Sequence, residues 1–147
     1  MTQISILYPV FVQVLLTFVL MNWMRVERFG AIRRGDVTLD SISLRQPAWP
    51  PRATQVANAF HNQLELPILF YALVAFLMIT TQVNIWFLIL AWVFVIARVV
   101  HAVVHTTTND VRQRFVTHAI GAAALFIMWI LFAIRILFFS LGGDRAI

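Results

Sequence analysis

The sequence predicts an all-α membrane protein, an up-and-down bundle of four transmembrane helices. The chain is 61% hydrophobic, above the roughly 45–50% of soluble domains, and its mean hydropathy is +0.85. Its apolar residues gather into runs close to the roughly 20 residues that cross a bilayer's hydrocarbon. Its eleven basic residues, all of them arginine, cluster mainly at the ends of those runs. At 147 residues the chain fits a single membrane domain, 1–147.

The first helix is expected over about 4–28. Met1 to Tyr8 lacks the basic start of a secretory signal, and no small-x-small cleavage site precedes Asn22. The run is therefore read as a retained helix. The second apolar run is short on its own, but Pro50 and Pro51 stand where prolines start helices, which extends the helix to about 51–81. Inside it Pro67 removes a hydrogen bond to the Gln63 carbonyl and should kink the helix just after Glu65. The third helix, about 84–106, follows the uncharged link Thr81-Gln82-Val83-Asn84. The fourth, about 112–141, follows a tight polar link from Thr106 to Arg112. Short links make neighbouring helices antiparallel.

Arginine placement predicts the orientation. Arg25, Arg28, Arg33, Arg34, Arg45 and Arg52 surround the first loop, and Arg98, Arg112 and Arg114 the third. Only Arg135 and Arg145 fall near the opposite face. The positive-inside rule then puts loops 1–2 and 3–4 in the cytoplasm and both termini on the other side. A net charge of +5 arranged this way reports membrane topology, and no nucleic-acid partner is expected. The absence of cysteine excludes disulfides, thiolate-ligated clusters and a cysteine nucleophile. No GxGxxG, Walker loop or HExxH occurs.

The polar residues inside the runs carry the functional signal. Asn58, His61, Asn62 and Glu65 form a stripe on the second helix, and Arg98, His101 and His105 form another on the third. Arg114 and His118 open the fourth helix, and Asn22, Arg25 and Arg28 close the first. Antiparallel threading places these clusters at one depth. An intramembrane charge is costly, so Glu65 and Arg98 are expected to face inward, pair, and line a wet cavity. Simpler roles exist for each group. Arg25 and Arg28 suit snorkelling anchors, Asn58 and Asn62 interhelical glue, and Glu65 with Arg98 a structural ion pair. His61, His101 and His105 with Glu65 could ligate a metal, but that spacing without a second carboxylate is weak, and no metal is expected.

Asn62-x-x-Glu65-x-Pro67-x-x-Phe70, followed by Ala97-Arg98-Val99-Val100-His101-x-x-x-His105 and by Arg114, resembles the pattern of the MAPEG family, membrane-associated proteins in eicosanoid and glutathione metabolism. The resemblance covers nearly the whole chain. It implies a homotrimer of four-helix bundles with glutathione bound between protomers, and a lipophilic small molecule as second substrate. It also implies that Arg114 faces the thiol as the catalytic residue, with Asn62, Glu65, His101, His105, Arg98 and either Arg25 or Arg28 around the glutathione. The chemistry suits the residues. Arginine forks match glutathione's carboxylates, Glu65 its ammonium, and a guanidinium beside sulfur favours thiolate. Three positions depart from the family's glutathione-using members: Asn58 stands where they carry arginine, and Phe115 and His118 where the prostaglandin synthases carry serine and tyrosine. The function expected is a glutathione-dependent transferase or peroxidase. The alternative is a non-catalytic bundle that binds a lipid or a partner.

Overall fold

The computed structural model describes residues 3–43 and 48–143, so Arg45 and Arg145 lie outside the described residues. Helix α1 (Leu7–Arg34) follows a 3-10 turn at Gln3–Ile6. The remaining helices are α2 (Pro51–His61), α3 (Leu66–Ile79), α4 (Ile85–Thr106) and α5 (Val111–Gly143). A 3-10 turn, Asn62–Leu64, joins α2 to α3, so the two together make one broken span. The chain thus holds four spans long and apolar enough to cross a membrane: Gln3–Arg34, Pro51–Ile79, Ile85–Thr106 and Val111–Phe138. It is an integral, multi-pass membrane protein built as an all-helical bundle. One end of the bundle carries the arginine-rich loops.

The helix ends follow local chemistry. Arg33 and Arg34 close α1, where cations complement the negative end of the helix dipole. Gly35 then turns left-handed at φ 76°. Its N–H reaches the Ile32 carbonyl and that of Asp36 the Ala31 carbonyl, both at 3.0 Å, the paired bonds of a Schellman cap. Pro51 opens α2 from an extended Pro50. Asn84 caps α4 by accepting from the backbone N–H groups of Trp86 and Phe87 at 2.9 and 3.3 Å. Asp110 does the same for α5, accepting from Gln113 N–H at 2.7 Å. The last carbonyls of α4 are capped from α2. Gln55 Nε2 donates to His105 O at 2.8 Å, and Arg52 donates to Thr106 O. These bonds tie two spans together at the arginine-rich end.

Packing is closest between α4 and α5, where Gly121 on α5 lies against the Ala97 side chain on α4, both buried. In lipid, where burying apolar surface gains little, such close backbone approach is what holds helices together. The main core lies away from the arginine-rich end: Phe70, Leu73, Leu77, Phe87, Ala91, Phe94, Leu125 and Met128, with Ile6. Phe70 stacks on Phe94 with ring centroids 4.7 Å apart.

Candidate functional site

The break in the second span creates the site. Pro67 has no N–H to offer the Gln63 carbonyl, and its ring crowds that carbonyl. The chain responds with more than the kink expected from sequence. Helix α2 stops at His61, a 3-10 turn follows, and Glu65 takes φ −99°, ψ −99° before α3 resumes. At this turn the Asn62 carbonyl accepts from Arg98 Nη2 at 2.7 Å.

Arg98 is fully buried. A second nitrogen of its fork, Nη1, lies 3.4 Å from His118 Nδ1. One guanidinium thus joins the broken span to α5, and its place in the interior is as a cap on backbone. The ion pair with Glu65 expected from sequence is not formed. Among the described residues the ion pairs are Arg34–Asp36 and Arg52–Glu27, and Glu65 is exposed. Glu65 lies at the irregular junction between the 3-10 turn and α3, on the outside of the bundle.

Asn62 is the hub. Its side-chain Nδ2 lies 3.4 Å from His101 Nε2 and 3.2 Å from His105 Nδ1. An amide NH2 only donates, so both ring nitrogens act as acceptors. His101 then carries its proton on Nδ1 and donates it to the Arg114 carbonyl at 3.0 Å. Thr117 Oγ1 sits 3.3 Å from the same nitrogen. The two imidazoles meet edge to face, with centroids 5.7 Å apart. This chain of bonds fixes the first turn of α5 against α4 and so places Arg114.

Arg114 lines a cleft of about 240 Å³ with Asn62, His101, Val111, Phe115 and His118. Its Nη1 donates to Asn109 Oδ1 at 2.9 Å. The cleft offers a cation, an amide and two imidazoles on one side, with Val111 and Phe115 as apolar rim. It can take a small polar ligand bearing negative charge. A second, apolar groove of about 460 Å³ follows, lined by Leu66, Leu69, Ala122, Ala123, Leu125, Phe126 and Trp129. Phe115, His118, Ala122, Phe126 and Trp129 fall at helical spacing along one face of α5. The polar cleft and the apolar groove therefore share one seam between the broken span and α5.

Of the residues singled out from sequence, Asn62, Arg98, His101, His105, Arg114 and His118 come together here. Arg98 and His105 are buried behind the surface that lines the cleft. Asn58, His61 and Glu65 are exposed and line no part of it. Arg25 and Arg28 stand elsewhere. They share a groove with Met24, Phe29, Ile32 and Trp49 that includes no residue of α4 or α5, and Arg28 lies over the Trp49 ring at 4.9 Å. Among the described residues no group of three His, Asp or Glu side chains is placed to hold a metal ion, and His61 packs beside Phe60.

Sequence reasoning missed a buried amide pair behind the break. Gln13 Nε2 donates to Gln63 Oε1 at 3.0 Å, and Gln63 Nε2 to the Ala59 carbonyl at 3.1 Å. A glutamine within the apolar run of the first span was the available signal, because a polar group at that depth needs a partner.

No curated protein and no solved structure matches the chain. The sequence pattern of a known family does match, over residues 6–134, from within the first span into the fourth. That stretch contains the whole seam, the broken span and the arginine on α5, and on this match the chain belongs to the MAPEG family.

Proposed function

We propose that this protein is a glutathione-dependent transferase or peroxidase acting on a lipophilic substrate. One observation carries the reading: the Arg114 guanidinium on a polar cleft that lies along the same face of α5 as an apolar groove. Two chemically different substrates need two such neighbouring environments. MAPEG proteins generally use glutathione, and the polar residues on this cleft suit it. Arg114 stabilises the thiolate; Asn62, with His101 and the buried His105 behind it, holds the tripeptide's polar groups; Arg98 holds Asn62. In transfer, the thiol loses its proton to solvent, the thiolate sulfur forms a bond to an electrophilic carbon, and the displaced group takes the electron pair. In peroxide reduction, the thiolate takes one oxygen, an alcohol leaves, and a second glutathione closes the disulfide and releases water.

The cleft's size supports a homotrimer. About 240 Å³ falls below the roughly 300–1,000 Å³ of pockets that enclose a ligand, so a tripeptide would overhang it. In the proposed assembly a neighbouring protomer supplies the remaining wall, and with it Arg25 or Arg28 for a carboxylate. Glu65 also reaches the ligand there, from an exposed position. With the arginine-rich loops in the cytoplasm, the site faces the compartment that holds glutathione.

The exposure of Glu65, together with Asn58 in place of an arginine, favours a second reading, a non-catalytic bundle that binds a lipid or a partner. Thermal melting of the detergent-purified protein across a glutathione titration separates the two. The proposal expects a saturable rise in melting temperature by mass action, and loss of conjugating activity by at least about a hundredfold in Arg114→Ala, the effect of removing a charge-stabilising donor. No shift at millimolar glutathione would overturn it.

A further inference from the structure

Arg114 stands in the first turn of α5, an awkward place for a cation. The N-terminus of a helix carries a partial positive charge, and an arginine side chain regains rotamer entropy by swinging into water. Something must hold it over the cleft. Its Nε is buried and has no hydrogen-bond partner, so that nitrogen does not. The His101 bond holds only the Arg114 backbone carbonyl. Among the described residues, the bond that fixes the guanidinium runs from Nη1 to Asn109 Oδ1, at 2.9 Å.

Asn109 is itself held firmly. Its backbone N–H donates to the Val104 carbonyl at 2.8 Å, locking it to the end of α4. Its φ is +53°, a left-handed conformation that asparagine tolerates better than other residues with a side chain. Few residues satisfy both demands at this position. Glycine meets the backbone demand but offers no acceptor, and most residues that offer an acceptor resist the backbone.

We propose that Asn109 is a positioning residue that tethers the Arg114 guanidinium over the cleft, by the hydrogen bond from Arg114 Nη1 to Asn109 Oδ1. It rests on the glutathione reading for its effect on catalysis, while the tether itself is independent of any ligand. Asn109 touches no reacting atom. It acts by pre-organising Arg114, so the thiolate meets a cation already in place. Loss of the tether leaves the cation present but mobile. The rate should then fall at subsaturating glutathione, most at low pH, where thiolate is scarce and its stabilisation limits the reaction.

The test compares wild type with Asn109→Gly, which keeps the left-handed backbone and removes the acceptor, and Asn109→Asp, which restores an acceptor. Two readouts are taken. The first is the rate at which phenylglyoxal modifies Arg114, followed by peptide mass spectrometry with Arg112 as internal reference and no glutathione present. The second is kcat/KM for glutathione across pH. Asn109→Gly is expected to melt within a few degrees of wild type, to expose Arg114 to the reagent several-fold faster, and to lose about fivefold in kcat/KM, the net worth of one hydrogen bond. Its pH profile should shift upward, and Asn109→Asp should return both readouts towards wild type. Unchanged Arg114 reactivity in a folded Asn109→Gly would overturn the tether whatever glutathione does. Faster modification in a protein whose wild type ignores glutathione would uphold the tether and remove the glutathione reading alone.

Discussion

The two halves of this bundle are held together by different physics. Away from the arginine-rich end the interior is apolar: Phe70, Phe94, Leu73, Leu77, Phe87 and Met128 are fully or almost fully buried, and Phe76 stacks on Phe132 below Trp129. Towards the arginine-rich end the second span breaks, and the interior holds Gln13, Gln63, Arg98, His101, His105 and Thr106. Dispersion and close fit secure the first half. In the second, hydrogen bonds between buried polar side chains and to backbone carbonyls decide where those side chains sit. One half supplies stability, and the other supplies a defined geometry at a stability cost.

The comparison can be broken first at its apolar end. Phe94→Ala removes one of the two stacked rings and leaves a cavity beside Phe70 and Leu73. Such truncations cost about 3–5 kcal/mol, the largest effect expected in the chain. Unfolding in mixed micelles measures it. The molecules that remain folded should keep the Asn62 network, so binding per folded molecule should stay near wild type. A collapse of binding at unchanged stability would mean that the two halves are not separable in this way.

Arg98 is the residue where the halves join, and its replacement should mix the two outcomes. Arg98→Leu keeps bulk but removes the charged donor on the Asn62 carbonyl, at about 1.5–3 kcal/mol. It also frees the turn that carries Asn62, so ligand affinity should fall beyond the loss of folded protein. Arg98→Lys should recover only part. An ammonium can serve one acceptor as a point charge, whereas the fork reaches both the carbonyl and His118. Equal behaviour of the Leu and Lys variants in unfolding and in ligand affinity would refute the capping role.

The same contrast explains what the sequence disclosed. The four spans were legible because lipid makes a local demand: a run of sufficient length and apolarity must cross as a helix. Pro67 announced the break for an equally local reason, a missing N–H. The inward face of the break was not legible. Reading Asn58, His61, Asn62 and Glu65 as one stripe assumes 3.6 residues per turn throughout, and the 3-10 turn winds at 3.0. The 3-10 turn ends at Leu64, and Glu65 leaves helical geometry at φ −99°, ψ −99°, so Asn62 stays with the site while Glu65 is exposed. Arg98 looked like the partner of an acid because charge pairs with charge in a linear reading. Its actual acceptor is a backbone carbonyl, that of Asn62, at the turn where the helix breaks. Arg114 could be picked out, but Asn109 could not, since nothing about an asparagine in a short loop reveals which side chain it will face.

The smallest expected effect sharpens the comparison most cleanly. Among the described residues, two other than glycine have positive φ, Thr81 at 56° and Asn109 at 53°, one at each end of the bundle. Both follow a helix end, and at Thr81 the flanking bonds from Thr81 N–H to Met78 O and from Gln82 N–H to Leu77 O, at 3.2 and 2.9 Å, form a Schellman cap. A β-branched residue there is strained by roughly 1–2 kcal/mol. Thr81→Gly relieves that strain but gains disorder in the unfolded chain, worth roughly 0.5–1 kcal/mol. The net expectation is a stabilisation between zero and about 1.5 kcal/mol, seen as a small rise in melting temperature, with ligand affinity and rate unchanged. At Asn109 the same substitution meets a backbone equally ready for glycine, yet it removes the acceptor that holds Arg114. Matched glycine variants at the two ends therefore ask one question of both halves. If Thr81→Gly also altered the site, the apolar half would be steering its geometry; if neither did, Arg114 would be held by its backbone alone.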